Sequence, residues 1–336
     1  MPDVGRTSIK YQASSIRKID AIAVTVGPGL VGSLLVGKMT AEALGWAWNV
    51  PVVGVNHLEG HIFSALLEHK EIAPPFIGLV VSGGHTDIVV VRDFGRYDVL
   101  GRTRDDSAGE SFDKVANILD LGYPGGPLID KIARTGNNRA VPFKRPFLEG
   151  TWDFSFSGIK TAVLYHVRGQ NCNYNRSYGK VPPQRSCKLD PKQVADICAS
   201  FQTAVVDVLV DKTILAAKTF RLKNVAVGGG VSSNTELRAR FMAEGKKNGI
   251  NVYFPSRNLS TDNAAMIAAA GYFKLRVMKQ SPARPPRRTA ASGGRLPYGG
   301  AKAWRAAGQR KYGGEHAGLN VDPSLEIQNW GTDSGG

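Results

Sequence analysis

His57 and His61 lie four residues apart in the stretch Asn56-His57-Leu58-Glu59-Gly60-His61. On a helix that spacing puts both imidazoles on one face, where they can converge on one metal ion. Zinc proteases space their histidines the same way, with a glutamate directly after the first. Here Glu59 comes two residues after His57, about 200° round a helix that turns by about 100° per residue. It points away from the pair and cannot act as their general base. Two histidines do not complete a site, so a third ligand has to come from elsewhere. Taken alone, the spacing reads more plainly as a surface or capping pair.

Two glycine-rich turns offer a second kind of chemistry. Ser82-Gly83-Gly84-His85-Thr86 joins the apolar runs Phe76 to Ser82 and His85 to Val91, a hairpin pattern. Bare backbone N–H groups in such a turn can cradle phosphate or carboxylate oxygens. Gly228-Gly229-Gly230-Val231-Ser232-Ser233-Asn234 follows the strand Asn224 to Val227 and leads into a helix, which lets a nucleotide approach the backbone. Two other glycine patterns fail on context. Gly27, Gly29 and Gly32 spell a dinucleotide fingerprint, but from Ala47 onward no carboxylate comes until Glu59, where one is needed about 20 residues on to hold the ribose. Gly32 to Lys38 matches a phosphate loop, except that Met39 replaces the hydroxyl that would hold magnesium. A tight strand–helix turn accounts for these glycines.

The elements that must position these groups read as strand Ile19 to Val26, helix Ser33 to Asn49, and a helix opening near His57. The acid-rich Arg104 to Lys114 opens a helix, and Gly122-Tyr123-Pro124-Gly125-Gly126-Pro127 ends a helix and starts another containing Asp130. Phe154-Ser155-Phe156-Ser157-Gly158 and a polar loop from Gly169 to Pro191 come next. Val194 to Thr219 has helical apolar spacing, Asn251 to Phe254 reads as a strand, and Ser260-Thr261-Asp262-Asn263 caps a helix Ala264 to Leu275.

The 336 residues suffice for two domains. Net charge is +15, of which the Pro/Gly/Arg-rich segment from Val277 to His316 carries eight, leaving seven for the remainder. That remainder favours a polyanionic partner such as RNA, and a merely solvated basic surface explains it equally. Three cysteines (Cys172, Cys187, Cys198) without C-x-x-C spacing argue against a disulfide framework and a zinc ribbon. No signal peptide or membrane-spanning helix is legible. The basic first 18 residues resemble an organellar transit peptide only weakly.

In this order, the motifs resemble the TsaD family, also called the Kae/Qri or Gcp family, of tRNA N6-adenosine threonylcarbamoyltransferases. The resemblance runs from Gly27-Pro28-Gly29-Leu30-Val31-Gly32 through His57 to His61, Val81 to Thr86, Asp105 to Lys114, Tyr123 to Pro127, Phe154 to Gly158 and Gly228 to Asn234, and ends in Ser260 to Asn263. It implies an α/β, actin-like ATPase (ASKHA, sugar-kinase-like) fold with two lobes and a ligand cleft. His57, His61 and Asp262 would bind one divalent metal, Fe(2+) first and Zn(2+) second. Val80, Val81, Ser82, Gly83 and Gly84, with Asp113, Gly126, Asp130 and Asn234, match the positions that hold threonylcarbamoyl-adenylate, an adenine nucleotide. Asp113 is the candidate catalytic group. The backbone N–H groups of Ser82, Gly83 and Gly84 would stabilise developing charge.

The implied partners are tRNA, a TsaB-like paralogue, a TsaE-like ATPase and a TsaC-like synthase that supplies the substrate. The implied location is cytoplasmic, with an organelle second and no membrane involvement. The family's opening hairpin with its phosphate loop has no match here. The expected organisation is therefore a residual N-terminus (1–18), a truncated first lobe (19–74), a second lobe (75–259) and a returning helix (260–276). A disordered basic insertion (277–317) and a tail (318–336) follow. An inactive truncated paralogue serving as a nucleotide- and metal-binding scaffold is the alternative, and a metalloprotease is a third reading.

Overall fold

The computed structural model describes residues 19–171, 189–280 and 319–330. The N-terminus 1–18, Cys172, Cys187 and nearly all of the expected basic insertion lie outside the described residues. The chain divides into two compact units, Met1–His57 with Ala270–Glu326 and Leu58–Ala269 with Ile327–Gly336. The first boundary falls inside a helix, after its first residue.

In the first unit, β1 (Ile22–Gly27), α1 (Val31–Trp48) and β2 (Val52–Asn56) form a βαβ arrangement whose two strands pair in parallel. The GPGL turn is tight because the tail crosses it. A Cβ on Gly27 would stand 1.9 Å from the Asp322 carbonyl oxygen, which explains that glycine by packing. Asp322 N donates to Val26 O at 2.8 Å, and Gly29 N to Pro323 O at 3.1 Å.

The second unit holds α2 (His57–Leu66) from Leu58 onward and a five-stranded sheet of order β5-β4-β3-β6-β7. β3 (Phe76–Val81) and β4 (Thr86–Asp93) are the expected hairpin. β5 (Arg96–Arg102), whose mixed polar and apolar residues give no clear strand pattern, extends it antiparallel. β6 (Asn224–Gly228) and β7 (Asn251–Tyr253) add in parallel. Ile77, Leu79 and Val81 of β3 face one core, while Phe76 and Val80 face another containing Leu58, Ile62 and Ala65 of α2. A strand buried on both faces reads as an unbroken apolar run.

The first core is closed by α3 (Ala108–Ile118), α4 (Gly125–Ala133), α5 (Ser157–Asn171), α6 (Pro191–Thr219) and α7 (Thr235–Asn248). α6 is long and apolar enough to cross a membrane by composition alone, yet 72% of its most apolar window is buried inside the fold. A capping box of Asp190 and Gln193 starts it. The short α8 (Arg257–Ser260) precedes α9 (Ala264–Gln280). α9 runs past the expected end at Leu275, so residues 277–280, assigned above to the insertion, are helical. No proline interrupts the helix before Pro282.

Candidate metal and nucleotide site

His57 is the first residue of α2, directly after the last residue of β2, and His61 follows one turn later. Gly60, between them, lets α9 lie close: a Cβ there would stand 2.8 Å from Ile267 Cδ1 and 3.2 Å from Met266 Cγ. α9 begins two residues after Asp262, and Asn263 caps it by accepting from Met266 N at 2.9 Å. The sequence motif and the third ligand are therefore linked through one glycine contact.

Ligand atoms of His57, His61 and Asp262 all lie within 4.8 Å of one another. His61 is fully buried, Asp262 is 77% exposed, and His61 Nε2 lies 3.4 Å from Asp262 Oδ1. Two donors each about 2.1 Å from a tetrahedral ion stand about 3.4 Å apart, so this spacing suits a metal. Two imidazoles and one carboxylate leave open coordination positions, the pattern of a catalytic ion and not a structural one. Glu59 is buried on another side of α2, where its Oε1 accepts from Trp330 Nε1 at 2.9 Å. A protease would need that carboxylate at the metal.

The two glycine turns meet the metal helix at the ends of β3 and β6. A Cβ on Gly228 would lie 2.0 Å from the His61 carbonyl oxygen, and one on Gly229 would lie 2.3 Å from that of Val81. Gly229 also has φ +94°, a conformation that favours glycine. Around Gly230, by contrast, nothing stands within 4 Å of a Cβ, and the same holds for Gly83, Gly84 and Gly126. Gly228 and Gly229 permit close backbone packing, and the other four border open space where a ligand can approach.

The Ser82–Thr86 turn is laced to the N-terminus of α3. Ser107 Oγ donates to Gly83 O at 2.8 Å, Gly109 N to Ser82 O at 3.2 Å, and Ala108 N to Thr86 Oγ1 at 2.9 Å. Ser82 N donates to His85 O at 2.8 Å. The Ser82 N–H thus has a partner within the turn. Val80 and Val81 are wholly buried.

Asp113 Oδ1 accepts from Gly125 N at 2.7 Å, placing a carboxylate at the N-terminus of α4. Asp113 also lines a cavity of about 380 Å³ with Glu110, Lys114, Asn117, Ile118 and Lys160. Gly125 is packed, with a Cβ reaching 2.7 Å from Asp113 Cα, while Gly126 is open. Asp130 Oδ1 accepts from Thr235 Oγ1 at 2.6 Å and from Thr235 N at 3.2 Å. Its neighbour in space, Asn234, caps α7 by accepting from Leu237 N at 2.9 Å.

Other polar groups support this frame without belonging to any motif. Arg238 donates to Ser232 O at 2.7 Å, Pro255 O at 2.6 Å and Ser260 Oγ at 3.2 Å, tying the second glycine turn to the segment before Asp262. Burial pushes the Cys198 thiol up to about 12, which leaves it inert as a nucleophile.

The architecture is an α/β fold of the actin-like, sugar-kinase-like ATPase class. Two solved structures share it: full-length HypF in its phosphate- and nucleotide-bound form (TM-score 0.57, 15% identity, 82% of this chain and 51% of that chain) and T. kodakarensis HypF (TM-score 0.58, 15% identity, 82% and 44%). Residues 4–269 match the model of the family TsaD, tRNA N6-adenosine threonylcarbamoyltransferase. The chain belongs to this family. The tRNA N6-adenosine threonylcarbamoyltransferase of Endomicrobium trichonymphae is 53% identical over 258 residues, 77% of this chain and 71% of the relative. That of Clostridium botulinum strain Hall is 52% identical over 257 residues, 76% and 71%.

Proposed function

We propose that this chain transfers the threonylcarbamoyl group of threonylcarbamoyl-adenylate to N6 of the adenosine beside the anticodon, in tRNAs reading codons that begin with adenine. The observation that carries the reading is the clustering of His57, His61 and Asp262 within 4.8 Å in a chain of the TsaD family. In the reaction the N6 amine forms a bond to the carbamoyl carbon, the bond from that carbon to the phosphate oxygen breaks, and AMP leaves as the proton departs from N6. The substrate arrives activated, so no serine–histidine nucleophile is required. Gly83, Gly84, Gly126 and Gly230 leave room for the adenylate against backbone. Asp113, which orients the substrate hydroxyls or accepts a proton, contacts it together with Asp130 and Asn234.

A divalent ion, iron in first place and zinc in second, is held by His57, His61 and Asp262 and supplies Lewis-acid polarisation of a carbonyl or phosphate oxygen. The working partners are tRNA, a TsaB-like paralogue, a TsaE-like ATPase and a TsaC-like synthase, in the cytoplasm. Retention of all three metal donors counts against the inactive-scaffold alternative.

The test is mass spectrometry of nucleosides from unmodified tRNA incubated with the chain, these partners and a threonylcarbamoyl-adenylate source, together with metal analysis of the purified chain. Threonylcarbamoyladenosine and bound metal are expected, and both should be lost in the double variant His57→Ala, His61→Ala. Product formation by a metal-free double variant would sink the metal assignment. Absence of product from a metal-loaded wild-type chain would sink the transferase reading.

A further inference from the structure

We infer that Gln202 and Glu236 are positioning residues that fix the side-chain amide of Asn234, so that Asn234 meets the nucleotide as a hydrogen-bond donor. This rests on the reading of Asn234 as a nucleotide contact and adds to it the polarity of that contact and the residues that set it. Gln202 lies on α6, is only 3% exposed and belongs to none of the family motifs. Its Nε2 donates to Glu236 Oε2 at 2.8 Å, and its Oε1 accepts from Asn234 Nδ2 at 2.7 Å. Asn234 Oδ1 in turn accepts from Leu237 N at 2.9 Å.

The two ends of this chain of bonds decide its direction. An ionised carboxylate only accepts, and a backbone N–H only donates. Glu236, anchored by Thr203 Oγ1, therefore requires the NH₂ of Gln202 to face it. The carbonyl of Gln202 must then face Asn234, which turns the NH₂ of Asn234 toward Gln202 and its carbonyl toward Leu237. Flipping either amide sets donor against donor or acceptor against acceptor in a buried place, where an unmade hydrogen bond is costly. An amide nitrogen carries two hydrogens. Gln202 takes one, and with the oxygen committed to the helix, the polar contact Asn234 presents to a ligand is the second N–H. Its complement is an acceptor on the ligand: a purine ring nitrogen or a ribose oxygen.

The test is calorimetric titration of the full chain with AMP, alongside thermal unfolding, for five variants. Asn234→Ala should weaken the Kd for AMP about tenfold, and Gln202→Leu about fivefold, the range expected when one buried hydrogen bond is lost. Gln202→Glu sets two carboxylates against each other and should weaken binding at least as much. Glu236→Gln removes the polarity and should weaken it about twofold. The double variant Gln202→Glu, Glu236→Gln exchanges the two ends of the pair while keeping a donor facing an acceptor throughout. It should recover AMP affinity to within twofold of wild type, a rescue that a merely space-filling role for Gln202 would not produce. If Asn234→Ala leaves the Kd unchanged, the nucleotide reading of Asn234 falls and takes this inference with it. If Asn234→Ala weakens binding while Gln202→Leu or the exchanged pair behaves otherwise than stated, the positioning role alone is overturned. Should Gln202→Leu fail to fold, the exchanged pair, which keeps the buried volume and charge, decides the matter.

Discussion

Glycines that look alike in the sequence have opposite jobs in the structure, and a methyl group separates them. At Gly109 a Cβ would stand 2.5 Å from Ser82 O and 2.8 Å from Gly83 Cα, both backbone atoms that cannot swing aside. Gly109→Ala should therefore destabilise the fold by roughly 2 kcal/mol, in the range of overpacking, despite the better helix propensity of alanine. At Gly83 nothing lies within 4 Å of a Cβ, and Gly83→Ala should leave stability within about 0.5 kcal/mol while weakening AMP binding by filling the open side of the turn. Denaturant titration and calorimetry on the two variants check both halves. A stable Gly109→Ala variant would contradict the packing argument. At this scale the histidine pair and the glycine turns were legible because their spacing is local. Asp262, about 200 positions beyond the histidines, came only through the family resemblance, and Gln202 had no signal beyond being polar on a buried helix. Which N–H groups of the Ser82 turn stay available was not legible, because it depends on the return of His85 O.

Between elements, the loop before α3 and the start of α5 are joined by one carboxylate. Asp105 accepts from Ser155 Oγ and Ser157 Oγ, and from the N–H groups of Phe156 and Ser157 at 2.8 and 3.2 Å. Burial works against ionisation there, but the serine and backbone donors outweigh it and hold the Asp105 carboxyl below the usual carboxylate range. Asp106 is also lowered: burial opposes its ionisation, and Lys114 and Lys160 overcome it. A depressed folded pKa contributes stability that is fully present above the unfolded value, about 4, and is lost as pH falls through the folded value. The contribution of these two carboxylates to stability should thus be flat from neutral pH down to about 5 and fall below about 4. Asp105→Asn should be less stable at neutral pH and should lose part of that acid slope. An unchanged slope would show that the tie contributes nothing. The motif residues Asp105 and Ser155 to Ser157 were visible in sequence as separate groups, and only the fold shows that they bond to one another. β5 went unseen because its outward residues Arg96, Asp98 and Arg102 dilute the apolar signal of Tyr97 and Val99, as expected of an edge strand.

Across the whole molecule the two units have very different cores. The second carries a five-stranded sheet whose central strands β3 and β4 have wholly buried residues on both faces. Among the described residues the first unit has two strands, and five of the six positions of β1 are only partly buried. Its helix α1 buries just Leu34, Ala41 and Gly45, while Leu30, Val36, Met39 and Trp46 are exposed on it or at its start. The fold class was readable because the hydropathy runs and glycine turns punctuate the chain, whereas the boundary inside α2 was not, since a continuous helix carries no compositional break. The free energy of local opening follows buried apolar contact and strand pairing. Amides of β1 and β2 should therefore exchange with deuterium through low-energy local openings, faster than those of β3, β4 and β6, whose exchange should approach the limit set by global unfolding. His57 and His61 stand one turn apart on α2. Metal binding by both should raise protection in α2 and at the adjoining end of β2 more than in β5 or β7. Hydrogen exchange with and without added metal reads this directly. Uniform protection across β1 and β3 would show that the two units open as one.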